Sequence, residues 1–135
     1  MIFEETVVLS KVFSEVIDEV KAAFGAVGFG VLTEIDMQAT LQAKTGDDIG
    51  PYVIVGACNP QLAGRALAIE PQVGVLLPCN VVVRQTGEHV TVEAMDPGLM
   101  ATMSNNDDLA PIATEARALI NQALGRLSAT PELSA

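Results

Sequence analysis

The stretch "VGVLLPCNVVVRQTGEHVTVEAM" (73 to 95) constrains the fold more than any other, because it sets two apolar, β-branched runs on either side of a Gly-containing turn. That pattern is a β-hairpin signature. Residues 73 to 85 and 89 to 95 read as its strands, joined through "QTGEH". With a two- or four-residue loop, Arg84 pairs with His89, Val83 with Val90, Val81 with Val92 and Asn80 with Glu93. Side chains alternate faces along a strand. One face therefore carries Val75, Leu77, Cys79, Val81 and Val83 beside Val90, Val92 and Ala94, and is core. The other carries Asn80, Val82 and Arg84 beside His89, Thr91 and Glu93, and is polar enough to meet solvent or a partner.

The remaining elements alternate around this hairpin. "TVVL" (6 to 9) is β-prone, and Ser10 stands where an N-cap belongs for a helix with Val12, Phe13, Val16, Ile17, Val20 and Phe24 on its apolar face, closed at Gly25. "GFGVLTEI" (28 to 35) is a strand, and Asp36 caps a short helix carrying Met37 and Leu41 that stops at Gly46. "PYVIVGAC" (51 to 58) is an apolar strand covered on both faces. Asn59 and Pro60 start a helix with Leu62, Ala66 and Leu67 as its buried stripe, since Asn is a good cap and Pro at the first helical position loses no needed N–H. "DPGLMATMSNNDD" reads as a polar, mobile connection, after which Asn106, Asp107 and Asp108 open a last helix with a continuous apolar face from Leu109 to Leu127.

This order predicts an α+β fold: a two-layer α/β sandwich with helices packed on one face of a mixed, largely antiparallel sheet, ending in a C-terminal helix. Residues 1–127 form a single domain and 128–135, "SATPELSA", a flexible C-terminal tail. Half of the 135 residues are hydrophobic, so a core forms without disulfide staples.

Charge removes whole classes of partner. The chain carries a net charge of −10 with only seven Lys and Arg, which argues against nucleic acid and anionic membrane, because polyanion binding needs clustered cations. "MIFEETVVLSK" is acidic where a secretory leader is basic, and the longest near-apolar run, Val73 to Val83, is broken by Gly74, Pro78 and Asn80. A spanning helix needs about 20 apolar residues. The expectation is a cytoplasmic chain with reduced thiols.

Candidate chemistry centres on "GACNP" (56 to 60) and "LLPCN" (76 to 80), which hold the only two cysteines. Cys58 directly precedes a helix start, where partial positive charge favours a thiolate, and is the one weak catalytic candidate. Helix N-termini present free N–H groups, so Cys58, Asn59 and, beneath them, Cys79 make a candidate cleft for a small polar or anionic ligand. The alternative is a thiol-dependent enzyme or redox-responsive factor, with Cys58 attacking and Cys79 resolving. Cys58, Cys79 and His89 are the only soft or imidazole metal ligands, and the hairpin register puts Cys79 and His89 on opposite faces, so no metal site is expected. No Cys-x-x-Cys, phosphate loop or nucleophile elbow is present, and "GAVGFG" (25 to 30) precedes a strand instead of following one. No cofactor is expected. Glu34, Asp36, Asp47 and Asp48 read as solvated surface.

"GFGVLTEID" (28 to 36), "KTG" (44 to 46), "PYVIVGACNP" (51 to 60), "AL" (66 to 67) and "LLPCNVVV" (76 to 83) together resemble the family catalogued as domain of unknown function 302, over about residues 5 to 127. The resemblance implies a compact α/β sandwich, often a homodimer, found as a small stand-alone prokaryotic protein, with no established activity and so no catalytic residues to carry across. Joined to the residue-level reading, it points to a non-enzymatic dimeric binding module. Its dimer or partner face is then Asn80, Arg84, His89 and Glu93, since a single sheet seldom leaves one face unused.

Overall fold

The computed structural model describes residues 3–129, with side chains over 6–127. Strands β1 (Phe3–Leu9), β2 (Gly30–Asp36), β3 (Tyr52–Cys58), β4 (Cys79–Thr86) and β5 (His89–Met95) form one five-stranded sheet in the order β1-β5-β4-β3-β2. Every ladder is antiparallel. Helices α1 (Phe13–Gly25), α2 (Met37–Thr45), α3 (Pro60–Ile69), α4 (Leu99–Ser104) and α5 (Ala110–Ala129) complete the expected α+β sandwich. No helix among the described residues is long and apolar enough to cross a membrane. Of the tail assigned to 128–135, residues 128 and 129 still belong to α5, and those from 130 onward lie outside the described residues.

The hairpin fixes the layers. Gly87 supplies a left-handed φ of 64° in a two-residue turn with Glu88, so that Thr86 pairs with His89, Arg84 with Thr91, Val83 with Val92 and Val81 with Ala94. The expected pairs are thus displaced by two residues. A two-residue shift preserves the alternation, and the face assignments stand. Rows run across the sheet: Val53, Val83, Val92 and Val7 form one, Val55, Val81 and Ala94 the next, and all are buried beneath α1 and α5. A second apolar cluster joins Leu62 and Ala66 of α3 to Val73, Met100, Leu109, Ile112 and Ala116. No side chain of the opposite sheet face enters either cluster.

Several local expectations are revised. Residues Pro71–Leu76 form a 3-10 segment, so the strand begins at Cys79 instead of Val73. Val73 is buried there, but Val75 is 83% exposed and is no core residue. Ser10 does not cap α1; its hydroxyl is hydrogen-bonded to His89 Nδ1 at 2.9 Å, and the helix instead starts on the Val12 carbonyl. Gly25 remains inside α1, and the left-handed residue follows at Gly28. Leu67 is exposed rather than part of the α3 stripe. β3 is buried at Val53, Val55 and Ala57 but only half-buried at Tyr52 and Ile54, so one of its faces stays open. The segment taken as a mobile connection folds into α4 with Met100 buried, and Asp96 holds its entry to α5 through Arg117 at 2.5 Å. The local caps hold as read: the Ala39 N–H donates to Asp36 Oδ1 at 2.9 Å, and the Leu62 N–H to Asn59 Oδ1 at 3.2 Å.

Gly56 is the most closely enclosed of the described glycines. A Cβ there would stand 2.1 Å from Thr33 Oγ1 and 2.8 Å from Pro78 Cγ, well inside contact distance. Forcing a methyl group into such a site costs on the order of 1–3 kcal/mol. Gly56→Ala is expected to lower the unfolding free energy measured in urea by that amount, with Thr33→Ala in the same chain restoring only part because Pro78 remains. Unchanged stability in Gly56→Ala would mean that both neighbours move aside freely.

Candidate functional site

The two cysteine motifs converge. β3 ends at Cys58 and β4 begins at Cys79, and the Ala57 to Cys79 pairing brings the strand ends together. Cys58, Asn59 and Cys79 line one recess, closed by Phe29, Leu62, Leu77, Met100 and Ile112. Its volume is about 20 Å³ and its walls are almost wholly apolar. That is room for about one water molecule, and an apolar void of this kind stays dry.

The helix start beside it offers little to an anion. Pro60 has no N–H, that of Leu62 is taken by the Asn59 side chain, and that of Ala63 bonds the Asn59 carbonyl, which leaves Gln61. Nor are the thiols activated. Burial pushes Cys58 up, and burial together with the neighbouring Cys58 pushes Cys79 up to about 11. No basic side chain lines the recess to oppose this. Both sulfurs are free thiols, and both are protonated at neutral pH.

A larger concavity lies on the opposite face. Tyr52, Asn80, Val82, Arg84, Glu93, Met95 and Leu99 line a groove of about 540 Å³. The pairing explains the set. Tyr52 of β3 is paired with Arg84 of β4, and Val82 with Glu93 of β5, so these four alternate onto one face, while α4 brings Leu99 to the rim. Arg84 Nε donates to Glu93 Oε1 at 2.6 Å across the diagonal of the ladder. The hydrogen bond to Glu93 raises the already high pKa of Arg84, which therefore stays charged. Among the described residues, the Tyr52 hydroxyl and the Asn80 amide have no hydrogen-bond partner in the protein.

Of the four residues assigned to a partner face, Asn80, Arg84 and Glu93 thus meet in the groove, whereas His89 stands at the hairpin end with Ser10. Tyr52, Met95 and Leu99 escaped the sequence reading. The signal for Tyr52 was its being the only tyrosine, on a strand whose pairing partner was not yet known. The acidic residues Asp36 and Asp48 line a shallow depression at α2, each already engaged by backbone N–H groups. Among the described residues no three His, Cys, Asp or Glu side chains gather as metal ligands.

Fold and site together describe a small two-layer sandwich with an open, grooved sheet face. The family model "Domain of unknown function DUF302" matches residues 5–127, and the chain belongs to that family. Its structure is similar to that titled "Crystal structure of uncharacterized conserved protein DUF302 from Bacillus stearothermophilus", with a TM-score of 0.86 and 32% identity over 93% of this chain and 98% of that one. No protein of curated function matches.

The thiol environment sets a pH signature. Because the folded pKa of Cys79 is raised to about 11, its stabilising contribution is complete below the unfolded value near 8.5 and is lost as pH rises from there through 11. Unfolding free energy should fall by about 2–3 kcal/mol across that window, and less in Cys79→Ala. Alkylation of the folded protein should reach Cys58 first and Cys79 only above about pH 10. A thiol of either residue titrating below about 7.5 would restore the thiol-enzyme reading.

Proposed function

We propose that this protein is a non-enzymatic small-molecule binding module whose binding surface is the groove of the open sheet face. The observation that carries the reading is the groove itself: about 540 Å³ lined by hydrogen-bonding groups and apolar side chains on adjacent strands. Ligand sites combine these features, an apolar wall and a few convergent polar groups. The recess at Cys58, Asn59 and Cys79 has the right location for a cleft but a volume of about 20 Å³, so in this reading it is a packing joint beneath the helix start. The thiol-dependent alternative finds no support in two thiols pushed up by burial.

Asn80 is exposed and points away from the core, so Asn80→Trp fills the groove without disturbing what lies beneath. In a thermal-shift screen of metabolites at millimolar concentration, the expected result is at least one compound that stabilises the parent and not Asn80→Trp. A ligand present at a hundred times its Kd contributes about 2.7 kcal/mol, several degrees in a domain of this size. A screen with no stabilising compound, or one whose hits act equally on the variant, rejects the groove as the site.

The same face supports a second reading, a homodimer packed sheet to sheet. Val8 and Ile35 stand on it at opposite edges, 52% and 43% exposed. Its central charges, Arg84 and Glu93, neutralise each other in a chain of net −10. A second copy meets less repulsion there than over the acidic remainder. Sedimentation equilibrium separates the readings: a dimer that Val8→Asp dissociates assigns the face to a second copy, and a monomer at about 100 μM leaves it to a ligand.

A further inference from the structure

On the reading that the groove is a ligand site, we infer that it selects an uncharged ligand whose polar edge carries a hydrogen-bond donor beside an acceptor, such as a primary amide or lactam, on a small apolar body. Arg84 commits Nε to Glu93 Oε1 at 2.6 Å, and among the described residues its two terminal nitrogens and Glu93 Oε2 have no hydrogen-bond partner in the protein. The pair thus presents donors next to an acceptor with no net charge. The Glu93 side chain is only 15% exposed, so water screens its carboxylate weakly, while Arg84 at 36% reaches the open groove.

Each ionic alternative meets an opposing charge. An anion that engages Arg84 comes up against Glu93 2.6 Å from the guanidinium, and against a chain of net −10. A cation that engages Glu93 has to displace or sit beside Arg84. An amide edge accepts from Arg84 and donates to Glu93 while leaving their bond intact, and the Asn80 amide and the Tyr52 hydroxyl supply further groups of both kinds. Val82, Met95 and Leu99 take the apolar body. A site built from paired donors and acceptors rejects ligands that leave one of them unmatched more strongly than an apolar pocket rejects a change of size.

The test is a set of amide ¹H–¹⁵N titrations with benzamide, benzoate and benzylammonium, which share one ring and differ in the charge of the head. Benzamide is expected to move the resonances of residues 80–84 and 93–95, with an apparent Kd at least about tenfold below those of the two ions. Glu93→Gln removes the carboxylate charge and should move the order towards benzoate. If benzoate or benzylammonium binds the parent as tightly as benzamide, or if Glu93→Gln leaves the order unchanged, the inference of an uncharged ligand fails while the groove remains a site. If none of the three moves those resonances at ten millimolar, about ten-thousandfold above a micromolar Kd, both fail.

Discussion

Because side chains alternate along a strand, the pairing of Thr86 with His89 across Gly87 and Glu88 decides which side of the sheet every residue of β4 and β5 faces. β3 and β1 then inherit that decision through their ladders with β4 and β5. Val53, Val83, Val92 and Val7 are buried in one row because of it, and Tyr52, Arg84, Thr91 and Val8 form the neighbouring row on the outside. A shift of one residue would have placed Arg84 and Glu93 under α1 and left a valine surface in water. The core and the candidate groove are two outcomes of one turn.

This dependence explains how much was legible in the amino-acid sequence. The faces could be read although each pair was assigned two residues away, since parity survives an even shift. Asp36 and Asn59 could be read as caps because the N–H groups they accept lie three residues on. Ser10 could not, because its hydroxyl is claimed by His89, 79 residues away in the chain. Residues 73–76 look like strand because an apolar run of that length does not reveal its period; Pro71 and Gly74 favour the tighter turn, and Val75 points to water as a result.

The candidate sites were legible in the same uneven way. That Cys58 and Cys79 meet follows from two strands ending together, but the size of what lies between them depends on Phe29, Met100 and Ile112, contributed by three other parts of the chain. Void volume is a property of packing and no local pattern encodes it. The groove had the opposite fate. Three of its polar residues were named, yet its concavity required the partner strand that brings Tyr52 and the helix that brings Leu99.

The order β1-β5-β4-β3-β2 also bears on how the chain assembles. Strands β2 to β5 each pair with a strand adjacent to them in sequence, whereas among the described residues β1 pairs with β5 alone, so that Leu9 waits for Val90. Loop closure over some 80 residues is the costliest contact of the sheet, and such long-range pairing sets a slow pace for folding. During synthesis β1 is made well before β5, and its inward Val7 and Leu9 must be kept from other partners until β5 exists.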